Sequence, residues 1–122
     1  RRVLHLGVAT RRTEPTYELF AHNRVGGSIP GNDGATWPYS HAVGNGAATL
    51  GATFLTPSEL ISLAMPTSYT PGDYLCNFLF YRSLSRARRS RVGFVHVVPL
   101  TTLPQDEQLA RLTAVVEASE ST

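Results

Sequence analysis

The chain has 122 residues, of which 42% are apolar, and its formal net charge is +2. This length and composition are typical of one folded domain and argue against an intrinsically disordered segment. No apolar run is long enough to span a bilayer, and the N-terminal residues lack the layout of a signal peptide. The single cysteine cannot form an internal disulfide. We therefore expect no membrane association and a reducing, cytoplasmic location.

The first part of the chain contrasts an apolar run with a turn-rich stretch. The run from Val3 to Ala9 is nearly continuous, which predicts a strand buried on both faces of a parallel sheet. Residues 26–51 are rich in Gly, Asn, Ser and Pro and predict a long loop. Inside it, Gly31–Gly34 and Gly44–Gly46 are turn sequences and not phosphate loops, because no Lys-Ser or Lys-Thr helix start follows them.

A helix start follows this loop. Thr56–Glu59 has the form of a capping box with proline at the first helical position, which predicts a short helix to about Ala64. The next segment, 65–70, should be a strand, but Pro66 and its short length make it a poor one.

The second half of the chain predicts helix, strand and helix. A helix from about Asp73 to Ser85 has Leu75, Phe78 and Leu79 at spacings of three and four, which indicates a core face. A second buried strand covers 92–98.

A last helix begins near Thr102–Gln105, and its apolar residues fall on one predicted face, namely Leu109, Leu112, Val115 and Val116. Together the elements predict one α/β domain over residues 1–122, with a mostly parallel sheet, right-handed crossovers and flanking helices.

Cys76 and His96 are the first candidates for a reactive site. Cys76 follows a Pro-Gly turn in the first turn of its predicted helix, where unpaired N–H groups and the helix dipole favour a thiolate. Asp73, three residues earlier, opposes this effect. His96 lies in the next apolar strand, so one βαβ unit would bring a nucleophile and a general base together. A buried structural cysteine and a core histidine bonded to a carbonyl remain the alternatives.

The sequence around both residues carries a family resemblance. Tyr-Leu-Cys-Asn-Phe at 74–78, together with Phe-Val-His-Val at 94–97, resembles the C-terminal half of pyroglutamyl peptidase I. Members of that family are cysteine peptidases that remove an N-terminal pyroglutamyl residue. The resemblance implies that Cys76 is the nucleophile and that His96 is its base.

The family has a third catalytic residue, a glutamate in a Glu-x-x-Ala/Gly-x-Asn context. The segment from Glu18 to Asn23 matches this context, and the order Glu, Cys, His is kept. The resemblance implies that Glu18 accepts a hydrogen bond from His96 and stabilises its imidazolium. Without the family, Glu18 is one of nine acidic residues, and its default interpretation is a solvated carboxylate.

The resemblance does not extend evenly along the chain. It is good from about Thr67 to Leu100, fair from Val3 to Asn23 and poor from Ser28 to Phe54. The family's N-terminal Gly-Phe-Gly-Pro-Phe-Gly turn, whose aromatic residues help cover the pyrrolidone ring, has no counterpart. The resemblance therefore implies a fold without the family's first strand and helix. The exposed sheet edge and apolar surface would favour self-association.

Two functional hypotheses follow. The first is a cysteine-type omega peptidase that acts on peptides with N-terminal pyroglutamate and is impaired in this chain. The alternative is a non-catalytic, degenerate relative that acts as a binding or interaction domain.

The remaining charged and titratable residues predict no further site. His5, His22, His41 and Cys76 lack the spacing of a zinc site, so we expect neither a metal nor a cofactor. We also expect no specific nucleic-acid binding and a solvated loop for the arginine cluster, because it lacks interleaved aromatics and a known motif. This cluster comprises Arg82, Arg86, Arg88, Arg89 and Arg91.

Overall fold

The computed structural model describes residues 1–27, 37–40, 43–72 and 75–120. Within these ranges the chain forms eight strands and three helices. In chain order they are β1 (Arg2–Val8), β2 (Thr16–Glu18), β3 (Phe20–His22), β4 (Val25–Gly27), β5 (Trp37–Ser40), β6 (Thr49–Gly51), α1 (Pro57–Leu63), β7 (Thr67–Ser68), α2 (Leu75–Arg86), β8 (Arg91–Val97) and α3 (Gln105–Glu120).

The main sheet has four strands in the order β1-β8-β2-β7. β1 pairs in parallel with β8, and β2 pairs in parallel with β7, whereas β8 and β2 are antiparallel. Two of the three pairings are thus parallel. The predicted α/β class is confirmed, and the sheet is mixed. The strands on either side of α2, β7 and β8, run in opposite directions with β2 between them. The expected parallel βαβ unit around α2 is therefore wrong.

The predicted loop over 26–51 is partly sheet. β3 pairs with β6, and β4 pairs with β5, both antiparallel, so 37–40 and 49–51 are strands. Strands of three or four residues between turn residues are too short to give a readable periodicity, which is why this prediction failed. Residues 28–36 and 41–42, including the predicted turn at 31–34, lie outside the described part of the chain.

The two long strands of the main sheet differ in burial. β8 lies between two partners and is buried along most of its length, as predicted. β1 is at the edge of the sheet, and its Leu6 and Val8 side chains are 53% and 60% exposed. The prediction that β1 is buried on both faces is wrong, because an apolar run does not reveal whether a strand has one neighbour or two.

The short helix α1 forms as the capping box predicts. The Thr56 side chain accepts a hydrogen bond from the backbone of Glu59, and the Glu59 side chain accepts one from the backbone of Thr56. The helix ends at Ala64, which adopts the left-handed conformation with φ 54°.

The core face of α2 differs from the predicted one. Leu75 and Leu79 are about half exposed, whereas Asn77, Phe80 and Tyr81 are buried. The Asn77 amide and the Tyr81 hydroxyl hydrogen bond to backbone groups of the strands and loop below the helix. Apolar spacing pointed to the wrong face because two of the inward residues carry polar groups.

The face of α3 was predicted in part. Val115 is buried and Leu112 packs against it in the core, but Leu109 and Val116 are exposed. Gln108 is buried instead, and its side-chain amide bonds both polar backbone groups of the residue that follows β8.

The main sheet separates two packed layers. On one face, Val92 and Phe94 of β8 pack against α2. On the other face, Val95 packs against Val115 of α3 and residues around α1. In the described part of the chain, no helix has the length and apolarity needed to cross a membrane.

Candidate active site

Three elements deliver the predicted catalytic residues to one face of the main sheet. Glu18 is the last residue of β2, His96 lies near the end of β8, and Cys76 is in the first turn of α2. In the antiparallel pairing of β2 with β8, Thr16 lies opposite His96. Side chains two residues apart in a strand share a face, so Glu18 lies on the same face as His96.

Glu18 and His96 form a buried pair. The His96 Nδ1–H donates to Glu18 Oε2 at 2.7 Å, and the side chain of Glu18 is fully buried. His96 is only 4% exposed. This contact fixes the ring, leaving Nε2 for a second partner.

The side chain of Cys76 lies close enough to His96 to affect its pKa. Burial lowers the pKa of His96, but the neighbouring Cys76 and Glu18 side chains outweigh this effect and raise the pKa from 6.5 to about 9. The imidazole is therefore protonated at neutral pH, which suits a thiolate beside it. The Phe94 ring lies against His96, with 4.9 Å between the ring centroids.

Glycine at position 7 makes room for the thiol. Gly7 lies beside His96 in the parallel pairing of β1 with β8. A Cβ at this position would lie 2.8 Å from Cys76 Sγ and 2.9 Å from a ring carbon of Phe94. Both distances are shorter than side chains tolerate, so any larger residue would displace the sulfur or the ring. Cys76 itself is partly exposed.

Asn77, the residue after the thiol, anchors the start of α2. Its Oδ1 accepts from the backbone N–H of His22 at 2.8 Å. Its Nδ2 donates to the backbone carbonyls of His22 and Arg24, both at 2.8 Å. Asn77 is fully buried, so these bonds fix the first turn of the helix against β3.

Arg12 is a further member of the site that the sequence did not indicate. Its Nη1 donates to Glu18 Oε2 at 2.5 Å. Arg12 lies in the link between β1 and β2, directly after the exposed Arg11. Two consecutive arginines in a link give no periodic signal that would tell the bonded one from the solvated one. The roles of Asn77 and Gly7 were also missed, because they depend on contacts distant in sequence.

The other histidines have structural partners. His5 Nε2 forms a 3.0 Å hydrogen bond with a serine hydroxyl of α2, and burial lowers its pKa. His22 Nε2–H donates to a backbone carbonyl at 2.9 Å. His41 and Asp73 lie outside the described residues.

The arginine cluster is not uniformly solvated. Arg91 Nη2 donates to Glu59 Oε1 at 2.8 Å, so Arg91 is part of the fold. The Arg82 guanidinium lies 5.9 Å from the ring centroid of Phe78. The solvated interpretation therefore holds only for the exposed residues of the cluster, which are Arg86, Arg88 and Arg89.

Comparison with curated proteins identifies related peptidases, although no family model matches the chain. The chain is 33% identical to pyroglutamyl-peptidase 1 of Rattus norvegicus over 94% of the chain and 58% of the rat protein. It is 31% identical to the pyrrolidone-carboxylate peptidase of Thermococcus litoralis over 78% of the chain and 47% of that protein. The chain thus spans about half the length of these curated relatives.

Solved structures show the same fold. The pyrrolidone carboxyl peptidase of Thermus thermophilus superimposes with a TM-score of 0.79 and 31% identity, over 97% of this chain and 69% of that one. The Thermococcus litoralis enzyme gives a TM-score of 0.82 at 22% identity, over 98% and 65% of the two chains, which supports the fold alone. By fold and by its identity to the Thermus protein, the chain belongs to the pyroglutamyl-peptidase I, or pyrrolidone carboxyl peptidase, family.

Proposed function

We propose that this chain is a cysteine peptidase that hydrolyses the bond after an N-terminal pyroglutamyl residue. The relatives are named for this activity. The observation that carries the proposal is the position of His96, which hydrogen bonds to the Glu18 carboxylate. The Cys76 side chain lies nearby, against Gly7, the residue paired with His96. This is the arrangement that a thiol nucleophile, its base and an orienting group require.

In the proposed first step, the Cys76 thiolate attacks the carbonyl carbon of the pyroglutamyl bond. The carbonyl oxygen becomes an oxyanion, and the protonated His96 gives its proton to the leaving amine as the C–N bond breaks. A thioester joins the pyroglutamyl group to the sulfur. In the second step, His96 takes a proton from water, the resulting hydroxide attacks the thioester, and pyroglutamate and the thiolate are released.

Glu18 supports both steps without touching the substrate. Its buried carboxylate holds the Nδ1–H of His96 and stabilises the imidazolium that is present before attack. The oxyanion would be bound by backbone N–H groups at the start of α2, where a helix leaves its first N–H groups without internal partners.

We also propose that the enzyme works in the cytoplasm. Its mechanism needs a reduced thiol, and Cys76 is half-buried and has no second cysteine in the chain to reduce it again after oxidation. A reducing compartment keeps such a thiol active.

The test of the proposed function is hydrolysis of a fluorogenic pyroglutamyl amide, with the matching prolyl amide as the control substrate. The prolyl compound lacks only the ring carbonyl and carries a charged amine instead of a neutral lactam. We expect release from the pyroglutamyl amide but not from the prolyl amide, at the impaired rate that the sequence predicts for this chain, and loss of that release on Cys76→Ser.

Covalent capture separates attack on the substrate from turnover. A pyroglutamyl chloromethyl ketone should add to Cys76, as seen by mass spectrometry of the peptide containing residue 76, and Cys76→Ser should abolish the addition. Absence of both hydrolysis and capture, or equal reaction with the prolyl analogues, would contradict the proposed function.

A further inference from the structure

The guanidinium of Arg12 reaches acceptors in two separate parts of the site. Nη1 donates to Glu18 Oε2, and Nη2 donates to Ser68 Oγ at 3.2 Å and to the carbonyl oxygen of Thr70 at 3.1 Å. Resting on the proposed function, we infer that Arg12 is a positioning residue that holds the Glu18 carboxylate and, at the same time, the segment that leads to Cys76.

The Glu18 carboxylate is the first of the two groups that Arg12 holds. A fully buried carboxylate is costly unless it is paired and hydrogen-bonded. Glu18 Oε2 has Arg12 and His96 as partners, and Oε1 has no hydrogen-bond partner among the described residues. Two cationic groups on one oxygen therefore compensate this charge.

The two partners of Glu18 are not equivalent during the reaction. His96 must give its proton to the leaving amine, and in that state it no longer compensates the carboxylate. The Arg12 guanidinium stays charged at every pH at which the protein is folded. Arg12 thus provides a permanent counter-charge beside Glu18 while the charge on His96 changes.

The segment after β7 is the second group that Arg12 holds. Ser68 Oγ accepts from the backbone N–H of Thr70 at 3.1 Å and donates to the Thr70 carbonyl at 2.9 Å, which closes a tight turn. Arg12 bonds to both residues of this turn. Gly72, with φ 91°, follows it, and α2 with Cys76 begins at residue 75. Arg12 therefore connects the carboxylate to the chain that delivers the thiol.

The other titratable groups on neighbouring elements have different partners. His5 of β1 bonds to α2, and His22 of β3 bonds to a backbone carbonyl. Arg91, at the opposite end of β8 from His96, pairs with Glu59. Among the described residues, Arg12 bonds to the Glu18–His96 pair, and Cys76 is the other titratable group that acts on it.

The experiment measures the rate of iodoacetamide alkylation of Cys76 against pH in the full chain. Removing a cation makes nearby acids hold their protons more tightly, so Arg12→Met should move the alkylation midpoint upward by about one pH unit. Arg12→Lys keeps the charge and should leave the midpoint within about 0.3 unit of the original. The alkylation rate at the high-pH plateau should still be several-fold lower in Arg12→Lys. One ammonium group cannot make the hydrogen bonds that the guanidinium makes on two sides.

Arg111→Met is the matched control. Arg111 forms a 2.9 Å ion pair with Glu14, and both side chains are well exposed and outside the site. This variant should alter neither the midpoint nor the plateau. A merely structural role for Arg12 would lower the melting temperature without moving the midpoint, so melting is followed by circular dichroism in parallel.

The outcomes separate this inference from the proposed function. If His96→Ala leaves the alkylation profile of Cys76 unchanged, the catalytic pair itself is wrong. If His96→Ala changes the profile but Arg12→Met matches Arg111→Met, the assignment of Arg12 is overturned. If Arg12→Met does not fold, Arg12→Lys is the test. An Arg12→Lys alkylation profile with the midpoint and the plateau of the original protein would also overturn the assignment.

Discussion

The two faces of the main sheet are built from the same strands but differ in chemistry. Towards α2, β8 presents Phe94 and His96, and His96 meets a carboxylate and a thiol. Towards α1 and α3, the same strand presents Gly93 and Val95, which pack in an apolar core. Both faces have apolar packing, but only the α2 face also brings polar residues distant in sequence together.

A pair of neighbouring residues gives the sharpest test of this difference. His96→Ala should lower hydrolysis of a pyroglutamyl amide by about 10²–10⁴-fold, because it removes the proposed general acid and base. Val95→Ala, on the opposite face, should lower the free energy of unfolding by roughly 2–3 kcal/mol through the cavity it creates.

Urea unfolding and alkylation of Cys76 should be measured on both variants. In Val95→Ala, the pH midpoint of alkylation should stay at its original value while the protein remains folded. A shifted midpoint in Val95→Ala would show that the two faces are not independent.

Two glycines extend the comparison to steric effects. A Cβ at Gly7 would meet Cys76 Sγ, whereas a Cβ at Gly93 would lie 2.6 Å from the Cβ of Phe54 on the other face. Both alanine variants should lose about 1–3 kcal/mol of stability from overpacking. Only Gly7→Ala should also slow the alkylation of Cys76, by about tenfold or more, since only this variant crowds the sulfur. Equal alkylation rates in the two variants would contradict the assigned position of the thiol.

The buried pair on the α2 face predicts a dependence of stability on pH. Because the pKa of His96 is raised to about 9 in the folded protein, its protonated form stabilises the fold fully below about pH 6.5. This contribution is lost as the pH rises through about 9. The free energy of unfolding should therefore fall across that window, by at most about 3 kcal/mol.

Urea unfolding at several pH values checks this prediction. Glu18→Gln removes one cause of the raised pKa and should flatten the dependence. Glu14→Gln changes an exposed carboxylate that pairs with Arg111 and should keep the original slope. The same slope in all three proteins would count against the Glu18–His96 contact.

The smallest expected effects come from two ion pairs away from the thiol. Arg111→Met breaks an exposed pair and should cost at most about 1 kcal/mol. Arg91→Met leaves the buried carboxylate of Glu59 without this partner and should cost about 1–3 kcal/mol. A larger loss of unfolding free energy in Arg111→Met than in Arg91→Met, measured by urea unfolding, would contradict this order.

Local signals in the sequence predicted local structure well. The capping box at Thr56–Glu59 fixed the start of α1, since all of its hydrogen bonds lie within four residues. The apolar runs predicted β1 and β8, because a strand of this kind depends on its own residues. Residue types and family resemblance together selected Glu18, Cys76 and His96, which the fold brings to one place.

Features that depend on distant contacts were not predictable in this way. The edge position of β1 depends on what lies beside it, and the inward face of α2 depends on the bonds that Asn77 and Tyr81 make to the chain beneath the helix. The roles of Gly7 and Arg12 appear only when β1, β7 and α2 meet. A single sequence states none of these pairings.

We expect His96 to control the reactivity of Cys76, and this expectation is tested by the pH profile of Cys76 alkylation. The measurement compares the original chain with His96→Ala between about pH 5 and pH 10. We predict that the original protein is alkylated well below pH 8.5, the ordinary value for a thiol, and that His96→Ala moves the rise towards that value. Alkylation that rises only near pH 8.5 in both proteins would contradict it.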